Sequence, residues 1–285
     1  MMYVIDYRLN FITMLQPLYD RAEAESFFYL ILENKLKMRR IDLALQPQVV
    51  LSESDKKDWD FLLQQLLQEV PIQYLLGTTW FYGLEIEVDE NVLIPRPETE
   101  ELVEWILSKQ HDQEITDQSI LDIGTGSGCI AIALAKNLPD SKVVALDVSE
   151  KALAMAQRNA LANHVSVEFI LMNILETSDL GLQFDYIVSN PPYVRELEKA
   201  EIKKNVLAYE PHLALFVADE DALLFYRKIS ELALTHLRSG GKLYFEINQY
   251  LGKETRKLLE DFGFENIVLR NDVYGSERMI CATKK

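Results

Sequence analysis

Asn190-Pro191-Pro192-Tyr193 closes an apolar run, Tyr186 to Ser189, that reads as a buried strand ended by a breaker. The two prolines fix their own φ at about −65°. Each also pushes the residue before it out of the helical region, so Asn190 is held extended. The outcome is a rigid corner at a strand end, with an amide side chain and carbonyls that no proline N–H contests. Such a corner suits a planar –NH2 group, held by its two hydrogens with its nitrogen aimed at an electrophile. An amide or exocyclic-amine nitrogen is a poor nucleophile, because its lone pair is delocalised into the adjoining π system. Acceptors on the Asn190 side chain and the Pro191 carbonyl can orient it and draw electron density toward attack. The Tyr193 ring can stack on the planar group. A plain strand-terminating turn has the same local sequence, so the surroundings decide.

A second cluster is Asp122-Ile123-Gly124-Thr125-Gly126-Ser127-Gly128, between an apolar strand and a helical stretch. Glycines there permit a tight turn and a close approach of backbone amides to a ligand. Asp147 ends the next strand, where a carboxylate can accept from both hydroxyls of a ribose. These features fit a dinucleotide or another adenosine-bearing cofactor. The loop lacks the third-glycine spacing of G-x-G-x-x-G, and Asp122 puts a carboxylate beside it. That suits a cationic ligand better than a pyrophosphate, and S-adenosylmethionine carries both a sulfonium and an ammonium. Arg96, between two prolines, is held in place and is a candidate for ordering a site; a surface ion pair with a neighbouring glutamate fits its spacing equally. Cys129 and Cys281 read as buried free thiols. His111, His164, His212 and His236 show no metal-binding spacing, so no metal is expected.

The elements that must position these groups follow from periodicity. Short apolar strands fall at 120–123, 143–146, 167–171, 186–189, 242–247, 266–269 and 278–282, with helices at 130–137 and 150–162. That alternation implies a largely parallel sheet with helices on both faces. The last two strands are joined by Asp272 to Glu277, too short for a helical crossover, so the final strand is expected to be antiparallel. In such a sheet ligands bind at the carboxyl ends of the strands, where the glycine loop, Asp147 and Asn190 would meet. Upstream, residues 20–36 and the segment from Ser52 to Val70, stopped by Pro71, read as helices. Thr78 to Val92 reads as a β-hairpin around Gly83. Leu93 to Pro97 is then a stiff link into a helix with Glu98, Glu100 and Glu101 in its first turn and Leu102, Val103, Ile106 and Leu107 on its core face.

The chain has 285 residues, 48% of them hydrophobic, and a net charge of −16. This is enough for a sizeable core. The acidic balance argues against duplex nucleic acid and favours a basic protein partner. No apolar run is long enough to span a membrane. The opening stretch is broken by Asp6, Arg8 and Asn10 and lacks the basic start of a signal peptide, so a cytoplasmic location is expected.

With these residues in place, the chain resembles the class I S-adenosylmethionine-dependent methyltransferases that act on nitrogen. Pro71 to Gly77 (PIQYLLG), the hairpin, VLIPRPETEELV, NPPYV, Tyr209 to Phe216 (YEPHLALF) and the tail DVYGSERMICA narrow the resemblance to the HemK/PrmC family. That family methylates N5 of the glutamine in the Gly-Gly-Gln motif of class 1 peptide chain release factors. NPPY alone is shared with adenine-N6 methyltransferases; IPRPETE joined to the glycine loop and NPPY is more specific. The match runs from about Pro71 to the C-terminus, and a helical N-terminal domain belongs to the same pattern.

The resemblance implies a Rossmann-like α/β fold, a seven-stranded mostly parallel sheet with an antiparallel last strand. A helical, substrate-docking domain (1–77) and a hairpin linker (78–97) would precede the methyltransferase domain (98–285). Gly124, Thr125, Gly126, Ser127 and Gly128 would hold the methionine moiety of S-adenosylmethionine, Asp147 its ribose, and Asn173 and Ile174 its adenine. Asn190, Pro191, Pro192 and Tyr193 would cradle the glutamine, with Asn190 bordering the cofactor and Asn190, Pro191 and Tyr193 carrying the catalysis. Asn173 departs from an acidic position in the family pattern. Asn248 stands where a glycine is common, and no catalytic role is assigned to Glu246. A monomer with a release factor as protein substrate, and no direct contact with nucleic acid or membrane, is the corresponding expectation. An adenine-N6 methyltransferase and a noncatalytic cofactor-binding module are the alternatives.

Overall fold

A computed structural model describes residues 2–108 and 117–285, so His111 lies outside the described part. The chain divides into two compact units: the residues up to Gly77 together with Lys203–Tyr209, and Thr78–Ile202 together with Glu210–Lys285. No helix among the described residues is long and apolar enough to cross a membrane.

The first unit is helical, with its longest helices at Val4–Leu15, Arg21–Leu36 and Glu53–Leu66. Asp20 and Ser52 cap the latter two by accepting the Glu23 and Asp55 amides. The rings of Tyr7, Phe11, Phe28 and Trp59 pack mostly edge to face in the core. The helix from Ser52 stops at Leu66, short of the expected end at Pro71. Glu69 takes a left-handed φ of 62°, and the Val70 amide reaches back to the Gln65 carbonyl at 3.2 Å. This is the six-to-one closure of a Schellman turn, so a local backbone motif ends the helix before the proline acts. Lys203–Tyr209 joins this unit, and the Tyr209 hydroxyl donates to the Gln68 carbonyl at 2.8 Å.

The second unit opens with the hairpin Thr78–Phe81 and Leu84–Glu87. Its turn residues, Tyr82 and Gly83, both have positive φ, the geometry that matches the twist of paired strands. Pro97 then begins the helix Pro97–Ser108 at its first position, where the missing N–H is harmless.

The main sheet has seven strands: β1 (Ser119–Ile123), β2 (Lys142–Asp147), β3 (Glu168–Leu171), β4 (Phe184–Ser189), β5 (Leu237–Glu246), β6 (Glu265–Asn271) and β7 (Glu277–Thr283). Their order is β6-β7-β5-β4-β1-β2-β3. β7 runs antiparallel to both β5 and β6, while the pairs from β5 to β3 are parallel. The short link before the last strand does force this reversal. Strand order switches direction between β1 and β4, whose C-terminal ends are tied by the Ser189 hydroxyl donating to the Ile123 carbonyl at 2.7 Å. A crevice beyond those ends is where such sheets bind ligands.

Candidate active site

Beyond the switch point lies a cavity of about 420 Å³, within the range typical of small-molecule sites. Its walls come entirely from the second unit. The loop after β1 is fastened to β2 at several points. The Gly124 and Thr125 amides donate to the Leu146 carbonyl at 2.9 and 3.0 Å. Asp147 accepts the Gly126 amide on one oxygen at 2.8 Å and the Ser149 amide on the other at 2.9 Å. Each oxygen keeps a further lone pair. Burial raises the pKa of Asp147, and those amides oppose the rise.

Gly124, Thr125, Gly126 and Ser127 line the cavity. Gly126 has φ +56° and open space where a side chain would stand, which suits close approach of a ligand. Gly128 is set back from the wall. A Cβ there would lie 2.9 Å from the Ile132 side chain and 3.0 Å from Ala156, so close packing of the following helix needs its glycine. Asp122 is also behind the wall, fully buried, and accepts the Thr125 hydroxyl at 2.6 Å. Burial lifts its pKa to about 7. Sequence reading offered this carboxylate to a cationic ligand; the side chain instead folds back to brace the loop, because the strand residue points into the core.

Met172, Asn173, Ile174 and Leu175, after β3, complete that side of the cavity. Asn173 turns its oxygen to the Leu175 amide at 3.1 Å and its –NH2 to Glu176 at 2.8 Å, an Asx-type turn. Together these walls fit an adenosine with a charged chain: a carboxylate for hydroxyls, apolar side chains including Ile174 for a flat ring, and bare backbone at the glycines.

Asn190, Pro191 and Pro192 line the same cavity. The Asn190 –NH2 lies 3.2 Å from the Thr99 hydroxyl oxygen, which sits 2.6 Å from Glu246. Tyr193 is set back, packed against the core, and its hydroxyl donates to the other Glu246 oxygen at 2.9 Å. Burial pushes the Tyr193 pKa up, and burial also raises Glu246 against the pull of the Thr99 and Tyr193 hydroxyls and the Arg278 charge. Asn248, at the position where glycine is common in the family pattern, donates to the Tyr193 carbonyl at 2.9 Å and to Glu198 at 2.8 Å. The departure thus has a local use: it latches the strand end.

Arg96 lines the cavity and pairs with Glu210 at 2.5 Å. The partner is 114 positions away in sequence, rather than a neighbouring glutamate. Glu210 is buried and also accepts the Ile94 amide at 3.1 Å, so IPRPETE and YEPHLALF are joined at one carboxylate. Asn159 is a further brace that sequence reading missed: it accepts the Glu87 amide and donates to the Glu87 and Ser127 carbonyls, linking hairpin to glycine loop. A polar residue on the otherwise apolar face of helix Glu150–Ala162 was the available signal. Cys129 borders the cavity, and burial pushes its thiol up to about 12, which favours the neutral thiol over the thiolate.

Strand order, the reversed seventh strand and a cavity with both a ribose-type carboxylate and a strand-end asparagine define the Rossmann-like methyltransferase class. The fold matches a crystal structure of a methyltransferase from Pyrococcus furiosus, with TM-score 0.52 and 21% identity over 72% of this chain and 90% of that one. Residues 101–213 match the methyltransferase small domain, and residues 12–77 match the PrmC N-terminal domain. A release factor glutamine methyltransferase of Flavobacterium psychrophilum is 58% identical over 98% of each chain. The Bacteroides thetaiotaomicron protein of the same name is 42% identical over 95% of this chain and 96% of its own. The chain belongs to the release factor glutamine methyltransferase family.

Proposed function

We propose that the protein transfers a methyl group from S-adenosylmethionine to the side-chain amide nitrogen (N5) of the glutamine in the Gly-Gly-Gln motif of class 1 peptide chain release factors. The observation that carries this reading is one cavity lined by Asp147, the glycine loop and Asn190-Pro191-Pro192, in a chain 58% identical to a curated enzyme of that name. Asp147 would hold the ribose hydroxyls with the lone pairs its backbone donors leave over. Gly124 to Ser127 would receive the methionine part, and Asn173 and Ile174 the adenine. Gly128 supports them from behind by packing.

When bound, S-adenosylmethionine would supply an electrophilic methyl on a sulfonium, to which the amide nitrogen's lone pair would bond while the S–C pair stays with sulfur. Asn190 and the Pro191 carbonyl accept the two hydrogens of the glutamine –NH2 and fix the nitrogen's direction. Pro192 keeps that corner stiff. Tyr193 contributes through its bond to Glu246 rather than by stacking. No strong general base is required, since the alkylated nitrogen loses its proton readily.

The acidic chain would meet a basic region of its protein substrate, as a monomer in the cytoplasm and without direct nucleic-acid contact. Labelled S-adenosylmethionine, a release factor and adenine-containing DNA or RNA in one incubation test the reading. Label on the release factor is expected. Label on nucleic acid alone points to the adenine reading, and no label on either to a noncatalytic module.

A further inference from the structure

Thr99 has one hydroxyl hydrogen and two polar neighbours. Its Oγ1 lies 2.6 Å from Glu246 Oε2 and 3.2 Å from Asn190 Nδ2. Glu246 is 1% exposed, and its Oε1 accepts the Tyr193 hydroxyl at 2.9 Å. Thr99 donates that hydrogen to Glu246, whose two oxygens accept the Thr99 and Tyr193 hydroxyls. Thr99 then has only lone pairs to offer Asn190, and Asn190 must answer with its –NH2. Its side-chain oxygen is left for the cavity that Asn190 lines. With the amide turned over, the oxygen would face a Thr99 lone pair, acceptor against acceptor, and the cavity would receive a donor. Shape alone does not choose between the two orientations, because the oxygen and –NH2 of an amide are nearly the same size. The hydrogen-bond directions do.

We propose that Thr99 and Glu246 are positioning residues for methyl transfer: they hold the Asn190 amide with its oxygen toward the acceptor nitrogen. The inference rests on the function proposed above, since an oxygen facing the cavity matters only for a substrate that brings an N–H. Asn190 is fastened through Thr99 and Tyr193 directly, so both ends of the NPPY corner end on one carboxylate. Three distant pieces of chain supply the parts: the helix Pro97–Ser108, the corner after β4, and the last residue of β5.

Thr99→Val keeps the side-chain shape and removes the hydroxyl; Thr99→Ser keeps the hydroxyl. With release factor and S-adenosylmethionine, Thr99→Val should lower kcat about tenfold or more, leave KM for the release factor and cofactor affinity within about twofold, and be rescued by Thr99→Ser. In an Asn190→Ala background, Thr99→Val should cost nothing further, because the group it aims is gone. A wild-type kcat in Thr99→Val, or losses that multiply in the double variant, would overturn the proposal.

A second measurement needs no acceptor. The Asn190 side-chain –NH2 resonances of nitrogen-labelled protein, assigned by their loss in Asn190→Ala, should exchange hydrogen slowly. Thr99→Val should abolish that protection and Thr99→Ser keep it. Unchanged protection in Thr99→Val would refute the relay whatever the substrate proves to be. A wild-type protein that leaves the release factor unmethylated would instead refute the function and leave this readout to decide the relay.

Discussion

Asp147→Asn tests the cofactor side of the site with the smallest change of shape. The aspartate accepts the Gly126 amide at 2.8 Å on one oxygen and the Ser149 amide at 2.9 Å on the other. An asparagine has one oxygen, so whichever way it turns, one of those backbone amides meets an –NH2 instead of an acceptor. Both donors are half-buried, so one left without its partner costs at most about 1–3 kcal/mol. The unfolding midpoint should therefore fall by several degrees, at roughly 2–4 °C per kcal/mol for a unit of this size. A ribose held on Asp147, as proposed, would lose at least one hydrogen bond to a charged acceptor, worth about 1.5–3 kcal/mol, or about 10- to 150-fold in affinity. Calorimetric titration with S-adenosylmethionine, beside thermal unfolding with and without it, reads both effects. An affinity within about twofold of the wild type would refute the ribose role, even if stability fell as expected.

Three further outcomes follow from the same geometry. Asn190→Ala should lose most methyl transfer and keep much of the cofactor affinity; an equal collapse of cofactor binding, read by calorimetry, would make Asn190 chiefly a cofactor residue. Asp122 has its pKa raised from 3.8 to about 7 by burial, so its contribution to stability is fully present below about pH 4 and lost as pH rises through about 7. The difference is about 4 kcal/mol at most, and Asp122→Asn should remove that slope from a plot of urea midpoint against pH; parallel plots would contradict it. Arg96→Ala strands the buried Glu210 carboxylate and should cost about 1–3 kcal/mol in urea unfolding, the partial exposure of Arg96 moderating the loss. Glu210→Gln, which can still accept the Ile94 amide, should cost less; the reverse order would mean that the ion pair is incidental.

Much of the fold was legible because it rests on local pattern. Apolar runs bounded by breakers marked the strands of the sheet, and the short stretch between Asp272 and Glu277 dictated the reversal of β7. The glycine loop, Asp147 and Asn190 could be placed on one edge of that sheet by topology alone. What sequence did not convey were pairings between distant residues. Nothing in the spacing ties Arg96 to Glu210, or Asn190 through Thr99 to Glu246. Thr99 did leave a trace, a hydroxyl on the same helix face as Leu102, Val103 and Ile106, and Glu246 left another as a charge ending an apolar strand. Sequence gives a residue's position but not the direction of its side chain: Asp122 turns from the cavity to the Thr125 hydroxyl, and the Tyr193 hydroxyl turns to Glu246. The end of the helix at Leu66 was hidden for a different reason, since a left-handed Glu69 carries no glycine to announce it.

The proposed reaction places a methyl group on one nitrogen of one glutamine. Tandem mass spectrometry of a class 1 release factor, after incubation with the wild-type protein and S-adenosylmethionine, locates that group directly. A single added methyl on the side-chain amide of the Gly-Gly-Gln glutamine is expected. A methyl on any other residue, or an unmodified glutamine in the presence of protein that binds the cofactor, would contradict it.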